Sequence, residues 1–388
     1  MRIKKIFVQT LLLICSLFLL TSCIQLVPPV NNGGNNNGGT NNEYTEKYPY
    51  ELSLDVCSYD FYQLTDELFE MPISSYDITI DNPMMAAVSN SGYITTYMEG
   101  NANIYFKNKI NEDYNTLLKL NIVKGIKVDY IDVGQGDAIL ISLPNDEVMM
   151  IDAGAGLYYD ESTAWKNIQN TLNKRGISVI DHLVLTHNHG DHYGLVPNVV
   201  RNYKVLNCYE SGSIRTNWQY INVMDSITNA GISRHIVKVG DKLIEEEDLL
   251  VQVVGVQQSN NEDDNINYQS VMIRIEFKDI AYMFTGDAGY RDGDCENVAL
   301  NSGLELKSNV LKVGHHGSMY SSGNQFLNAV KPDIAIITTS KDTETGHPHA
   351  QALNRLNKVN AKIYQSAIHG TITVSSNGKI IYIVTEKN

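Results

Sequence analysis

The sequence predicts a layered α/β domain over residues 125–388, preceded by a smaller all-β region over residues 48–124. Three observations predict it. From Gly125 onward, strand patterns alternate with helix patterns. Before Gly125, short runs rich in Tyr, Ile and Thr are cut by turn residues at close intervals. The chain of 388 residues is 43% hydrophobic and 19% charged, enough apolar side chain to bury a sizeable core.

Taken in order, Ile126, Val128 and Tyr130 alternate with polar residues, and a second alternating run covers Ala138 to Leu143. Val148-Met149-Met150-Ile151 is continuous, as in a strand covered on both faces. Ser162 can cap a helix that carries Trp165, Ile168 and Leu172 on one face and stops at Gly176. Leu183-Val184-Leu185 is a short apolar strand running into a histidine-rich segment. Ala350, Leu353 and Leu356 mark a late helix, and Asn377-Gly378 lies between Ile372/Val374 and Ile380/Tyr382 as a hairpin turn.

The N-terminus predicts export. Arg2, Lys4 and Lys5 precede a mostly apolar stretch from Ile6 to Leu20, interrupted by Gln9, Thr10 and Ser16 and too short for a comfortable membrane span. Leu20-Thr21-Ser22-Cys23 resembles the bacterial lipobox, which implies a signal peptide over 1–22, cleavage before Cys23 and lipidation of its thiol. The alternative is an uncleaved anchor; both place the rest outside the cytoplasm, held to the outer face of the membrane. Residues 23–47 follow as a flexible linker, with Asn and Gly filling positions 31 to 42 except for Thr40.

Lys and Arg number 30 against 44 Asp and Glu, a net charge of −14. Such a chain repels polyanions on average, so the sequence shows no general grip on nucleic acid, and an anionic substrate needs a local feature such as a metal ion. Of the five cysteines, Cys57, Cys208 and Cys295 remain after Cys15 and Cys23 are set aside; their spacing suggests neither a disulfide framework nor a structural zinc site.

Thr186-His187-Asn188-His189-Gly190-Asp191-His192 concentrates three imidazoles and a carboxylate just beyond a strand. Neutral imidazole and carboxylate are the donors that Zn²⁺ or Mn²⁺ takes, and this density makes adjacent metal positions feasible. Asp287 follows the apolar run Ala281 to Phe284, and His315-His316-Gly317-Ser318 follows Val310 to Val313, so both stand at strand ends.

The HxHxDH pattern is similar to that of the metallo-β-lactamase superfamily. The chain resembles in particular the C-terminal domain of the ComEC/Rec2 competence proteins, in a stand-alone form. Asp132-Val133-Gly134-Gln135-Gly136-Asp137-Ala138, Ile151-Asp152-Ala153-Gly154, Thr285-Gly286-Asp287-Ala288, Leu311 to Ser318 and Gly346-His347-Pro348-His349 carry the resemblance in order. It implies an αββα sandwich with the metals at one edge between two sheets. It also implies His187, His189, Asp191, His192, Asp287 and His316 as metal ligands, with His315 the alternative to His316. Asp152 is expected to orient a ligand histidine, Asp191 and His315 to act in catalysis, and His347 to reach the substrate side. Asp132, Gln135 and Asp137 either line the site or make turns, while His182, His235 and His369 read as packing or surface residues. Separately, Asp81-Asn82-Pro83, Ala87 to Ile94 and Glu99 to Ile104 resemble bacterial Ig-like repeats, although Ile78 stands where the usual strand tryptophan falls.

One position departs from the superfamily. The third histidine of the first metal is missing: the interval before Asp287 holds only His235, and the equivalent place near Asn207 to Gly212 offers Cys208 or Glu210. One or two ions, Zn²⁺ with Mn²⁺ possible, are therefore both open. The resemblance, which extends to surface phosphocholine esterases, implies metal-assisted hydrolysis of phosphodiesters, in nucleic acid or phosphocholine-type esters. Alternatives are a lactone, thioester or β-lactam hydrolase on the same fold, and a surface binding lipoprotein with a degenerate site. The partner of the Ig-like region is not specified by the residues.

Overall fold

The structure is a computed structural model that describes residues 25–26 and 48–387, except 59, 157–158, 260–264, 292 and 342–344. The expected signal segment, Cys23 and the Asn/Gly stretch of the linker lie outside the described residues. The chain divides into two compact units, one comprising residues up to Gly125 with Ser375–Tyr382, the other Ile126–Val374 with Ile383–Asn388.

The first unit is a small β domain. One sheet orders Gln25–Leu26, Tyr50–Cys57, Thr116–Val123, Gly100–Asn108 and Tyr76–Ile80; a second orders Phe61–Gln63, Tyr93–Thr96 and Ala86–Val88. Inward residues of both sheets, among them Leu54, Val56, Ile94, Ile104, Phe106 and Leu118, form one apolar cluster. The 375–382 segment belongs here because Tyr382 lies edge-on to Tyr62 at 4.9 Å and Ser375 Oγ donates to Asp60 Oδ2 at 2.6 Å.

The second unit is the αββα sandwich. Its first sheet has the order Ser233–Ile236, Lys204–Glu210, Val179–Val184, Val148–Ala153, Ala138–Ser142, Ile126–Tyr130, Ile372–Ser376, Ile381–Thr385. The second runs Lys242–Glu245, Leu249–Gly255, Met272–Phe277, Ile280–Phe284, Val310–Lys312, Ile334–Ile337, Lys362–Gln365. Strand parity separates the layers. Leu140, Val148, Met150 and Leu183 pack against helices Glu161–Lys174, Val196–Asn202 and Trp218–Asn229 on one outer face. Met272, Met283, Leu311 and Ala335 pack against Cys295–Asn301, Asn324–Val330 and Ala350–Lys358 on the other. Between the sheets, Ile139, Ile141, Met149 and Ile151 are buried opposite Ile273, Ile275, Tyr282 and Phe284, and Tyr130 stacks on Phe284 with ring centroids 6.2 Å apart.

Two local expectations change. The helix cap is Asp160, whose side chain accepts from Thr163 N, and Ser162 instead bonds Asp160 at 2.6 Å; a carboxylate is the stronger acceptor at a helix start. The strand Ile126–Tyr130 is buried at every position, polar residues included, because Asp129 pairs with Arg175 at 2.7 Å.

The strands Val148–Ala153, Val179–Val184 and Lys204–Glu210 are parallel to one another, as are Ile280–Phe284, Val310–Lys312 and Ile334–Ile337 in the other sheet. Parallel strands deliver their C-terminal ends to one edge, so the loops that leave them gather side chains distant in sequence.

Candidate metal centre

The loop Thr186–His192 leaves the strand Val179–Val184 and turns at once into the short helix Gly190–Tyr193. His187 and His192 are buried, while His189 and Asp191 are half-buried. The loop is anchored by Asp152, fully buried at the end of the neighbouring strand with a left-handed φ of 59°. Its carboxylate accepts from Thr186 N at 2.8 Å, from Thr186 Oγ1 at 2.6 Å and from His192 Nδ1 at 2.7 Å. That last bond puts the His192 proton on Nδ1 and turns Nε2 into the site, the usual arrangement behind a ligating imidazole.

Nε2 of His192 meets the second sheet's contribution, Asp287, whose two oxygens face two different groups of side chains. Oδ2 stands 3.7 Å from His187 Nε2 and 3.6 Å from His315 Nε2. Oδ1 stands 3.2 Å from His192 Nε2 and 3.6 Å from His316 Nε2, and His316 Nε2 is 3.5 Å from Asp191 Oδ2. The tandem histidines separate in this way because His315 and His316 both adopt left-handed backbone, φ 47° and 51°. Such conformations are costly for residues with a Cβ and are kept where the surroundings enforce them. His316 Nδ1 donates to Thr338 O at 2.8 Å, which leaves its Nε2 for the site.

These distances suit a metal. Donors about 2.1 Å from a shared tetrahedral cation lie roughly 3.4 Å from one another. His187, His189 and Asp287 form one potential donor group, and Asp191, His192 and His316 another. Asp287 Oδ1, His192 Nε2 and His316 Nε2 are buried without a hydrogen bond. Buried polar atoms are seldom left so, and a divalent ion would satisfy all three. The residues present therefore fit a metal ion in each group, with the Asp287 carboxylate between them.

The electrostatics agree. Burial would lower His192, but the Asp287 and Asp152 carboxylates outweigh it and raise it well above the ordinary histidine range. Positive charge is favoured at Nε2, whether carried by a proton or by a metal ion. Burial would raise Asp287 too, yet His192, His316 and His315 hold it well below the usual carboxylate range. Asp191 behaves alike: burial opposes ionisation, and a hydrogen bond with His316 and the charge of His192 bring it to about 2. Burial lowers His187, His189 and His315, which keeps these imidazoles neutral and able to coordinate.

Around this core stand residues of lesser or unforeseen roles. His347 is buried with its ring 5.2 Å from His315, and burial together with His315 takes it down to about 3. Asp137 is a third acidic neighbour of His192 and Asp287, but it is already engaged by Lys312 Nζ at 2.5 Å and by Thr338 Oγ1 at 2.6 Å. Lys312 is fully buried and also donates to Gly286 O at 3.1 Å, which fixes the peptide that carries Asp287. Among the strand-end motifs Lys312 carries no expected role; its signal is a cation inside the otherwise apolar strand Val310 to Val313. Asp132 accepts from Gly134 N at 3.3 Å and Gln135 accepts from Thr345 Oγ1 at 3.0 Å, so both serve loop geometry.

Neither substitute offered for the missing histidine faces the site. Cys208 packs in the apolar cluster on the helix side of its sheet, where burial pushes the thiol up to about 12. Glu210 accepts from Arg234 Nε at 2.7 Å and from Gly212 N at 2.9 Å. Strand parity is the reason for Cys208: the residue that follows Asn207 points outward, away from the edge loops. His182 bonds Glu147 and Tyr209, His235 stacks on Tyr209 at 4.9 Å, and His369 bonds the backbone of Gln365.

A family profile described as the metallo-beta-lactamase superfamily matches residues 131–340, and the chain belongs to that superfamily. Within it the competence proteins are its relatives. The chain is 28% identical over 258 residues to "ComE operon protein 3" of Bacillus subtilis (strain 168), covering 63% of this chain and 32% of that protein. It is 25% identical over 256 residues to "Recombination protein 2" of Haemophilus influenzae, covering 64% of this chain and 29% of that protein. The chain thus spans about a third of the length of these curated relatives. Among solved structures, the metallo-beta-lactamase fold protein YhfI from Bacillus subtilis covers 65% of this chain and 100% of its own, with 9% identity and a TM-score of 0.43.

Proposed function

We propose that this protein is a metal-dependent hydrolase that cleaves phosphodiester bonds outside the cell. The observation that carries the reading is the Asp287 carboxylate, buried between two groups of histidine and aspartate donors. Divalent ions held there, Zn²⁺ or Mn²⁺, would supply Lewis acidity toward a phosphoryl oxygen and an acidified water. His187, His189 and Asp287 would hold one, and Asp191, His192, Asp287 and His316 the other. Asp191, half-buried and ionised, would orient the attacking water and accept its proton. His315, partly exposed beside Asp287 Oδ2, would hydrogen-bond the phosphoryl or leaving oxygen, with His347 beside it. Asp152 acts through His192 and Lys312 through the Gly286 peptide.

The resemblance to competence proteins favours nucleic acid, and the resemblance to surface phosphocholine esterases favours phosphocholine-type esters. The net charge of −14 supplies no broad cationic surface, so recognition rests on the metal edge itself. The test is purified protein stripped by chelator, restored with Zn²⁺ or Mn²⁺, and offered bis-p-nitrophenyl phosphate, single-stranded DNA and nitrocefin. Metal-dependent cleavage of a phosphodiester supports the reading. Cleavage of nitrocefin alone contradicts it and favours a β-lactam, lactone or thioester hydrolase, and a chain that binds no metal favours the surface binding protein.

Export and a lipid on Cys23 belong to the same proposal, as does an Ig-like identity for the first unit as a spacer or adhesion module. Among the described residues no helix is long and apolar enough to cross a membrane. Detergent-phase partitioning of the whole protein, lost in Cys23→Ser, is the expected result; aqueous partitioning of both forms contradicts it.

A further inference from the structure

The short turn Ile266–Gln269 brings a residue to the metal edge that the roles above leave unused. Asn267 is 8% exposed. Its Nδ2 lies 3.3 Å from His315 Nδ1, and the Nε2 of that ring stands 3.6 Å from Asp287 Oδ2, the oxygen that faces the first donor group. Its Oδ1 is buried with no hydrogen-bond partner. The turn is firmly set: Asn265 Oδ1 accepts from Asn267 N at 3.0 Å, Ser270 Oγ accepts from Asp287 N at 3.1 Å, and Val271 N donates to Thr186 O at 2.9 Å. It is therefore stitched to both loops that carry the donors.

The first donor group has three members, His187, His189 and Asp287, where the ions in question take four or more. Cys208 and Glu210 are turned elsewhere. A buried amide oxygen without a partner is costly, and a cation held by the first donor group would satisfy it. We propose that Asn267 supplies, through Oδ1, the fourth protein donor of the first metal site, in the place of the absent third histidine. This rests on the metal-hydrolase reading above. An amide oxygen in place of an imidazole makes the set harder, two nitrogens with two oxygens, and raises the affinity for Mn²⁺ relative to Zn²⁺.

The experiment is a metal titration of the whole protein after chelation, by calorimetry with Mn²⁺ and Zn²⁺ and with Mn²⁺ counted by electron paramagnetic resonance. The wild type is expected to bind two ions. Asn267→Leu is expected to weaken one of them by at least about tenfold and leave the other, while Asn267→Asp keeps both and Asn267→His shifts that site toward Zn²⁺. Circular dichroism of the chelated forms checks folding, and if the Leu variant is unfolded, Asn267→Ser takes its place with the same expected loss. Two ions bound with unchanged affinity by Asn267→Leu or Asn267→Ser overturn the assignment, also when turnover falls, since the amide then touches substrate only. A wild-type protein that binds no ion overturns the metal reading itself and is told apart by that result.

Discussion

Asp287 serves two groups of donors with one side chain, so its loss has consequences that removal of any single histidine does not. Asp287→Asn keeps the shape and removes the charge. On the proposed mechanism, stabilisation of the transition state by the ions would be worth several kcal/mol, so kcat/KM is expected to fall by about a thousandfold, with metal content falling in parallel. Atomic emission on the purified variant checks this, and a variant with full metal content contradicts the bridging role. Glu296, fully buried away from the site, makes a prediction of a different kind. Burial, against the N–H groups of Gly323 and Ser322, lifts its carboxyl from 4.5 to about 8. A raised folded-state value means that its stabilising contribution is complete below about pH 4.5 and is lost as pH rises through about 8. Glu296→Gln, neutral throughout, is expected to flatten the fall in Tm between pH 5 and 9; parallel curves for the two proteins contradict it. How legible the residues were followed their spacing. His187 to His192 sit within one short loop and announced themselves, whereas Asp287 and His316 needed the strand-end motifs. Asn267 lies in a polar stretch with no motif, and Lys312 shows only as a cation in an apolar strand, with nothing in the sequence to say what it holds.

Loops at strand ends hold their positions here because glycines let backbones touch. A Cβ on Gly154 would sit 1.7 Å from Asp191 O, and one on Gly136 would sit 2.5 Å from the same atom. Both glycines come from the motifs that flank Asp137 and Asp152, so their place in the sequence reflects close approach of two chains to the metal loop rather than turn formation alone. Gly154→Ala must push the Asp191 peptide aside. It is expected to destabilise by at least about 1–3 kcal/mol and to weaken the ion held by Asp191, His192 and His316 before the other. Thermal melts and metal titration check this, and an unchanged second-site affinity contradicts it. The strands themselves were largely legible: the run at Val148–Ala153 and the hairpin around Asn377-Gly378 lie where their patterns put them. The sequence does not single out Asp160 as the cap, because Asp and Ser compete for that position and geometry decides between them. Sequence order misleads about the replacement for the third histidine, and the reason is geometric. Cys208 and Glu210 are near in sequence order, but one points into the helix layer and the other is paired with Arg234.

Across the whole molecule, the C-terminal hairpin ties sequence-distant parts together, because Ser375–Tyr382 clusters with the first unit. Tyr382 OH donates to Asp55 O at 2.6 Å, and its ring packs on Tyr62. A chain shortened to begin at Gly125 would expose that ring. Burial of one large side chain is worth about 1.5–3 kcal/mol, so the shortened chain is expected to melt about 3–12 °C lower; an unchanged Tm contradicts the role assigned to the hairpin. Composition bounded the molecule at this scale, with an acidic surface and a core large enough for two sheets, but a strand pair that closes on residues more than 300 positions earlier leaves no local pattern to read. The account as a whole depends on Asp287 lying between two ions. Crystals of the full protein soaked in Mn²⁺ and measured at the manganese edge test this most directly. Two anomalous peaks, one on each side of the Asp287 carboxylate, with His187 and His189 at the first and Asp191, His192 and His316 at the second, are the predicted result. No peak there, or a peak remote from these side chains, would contradict it.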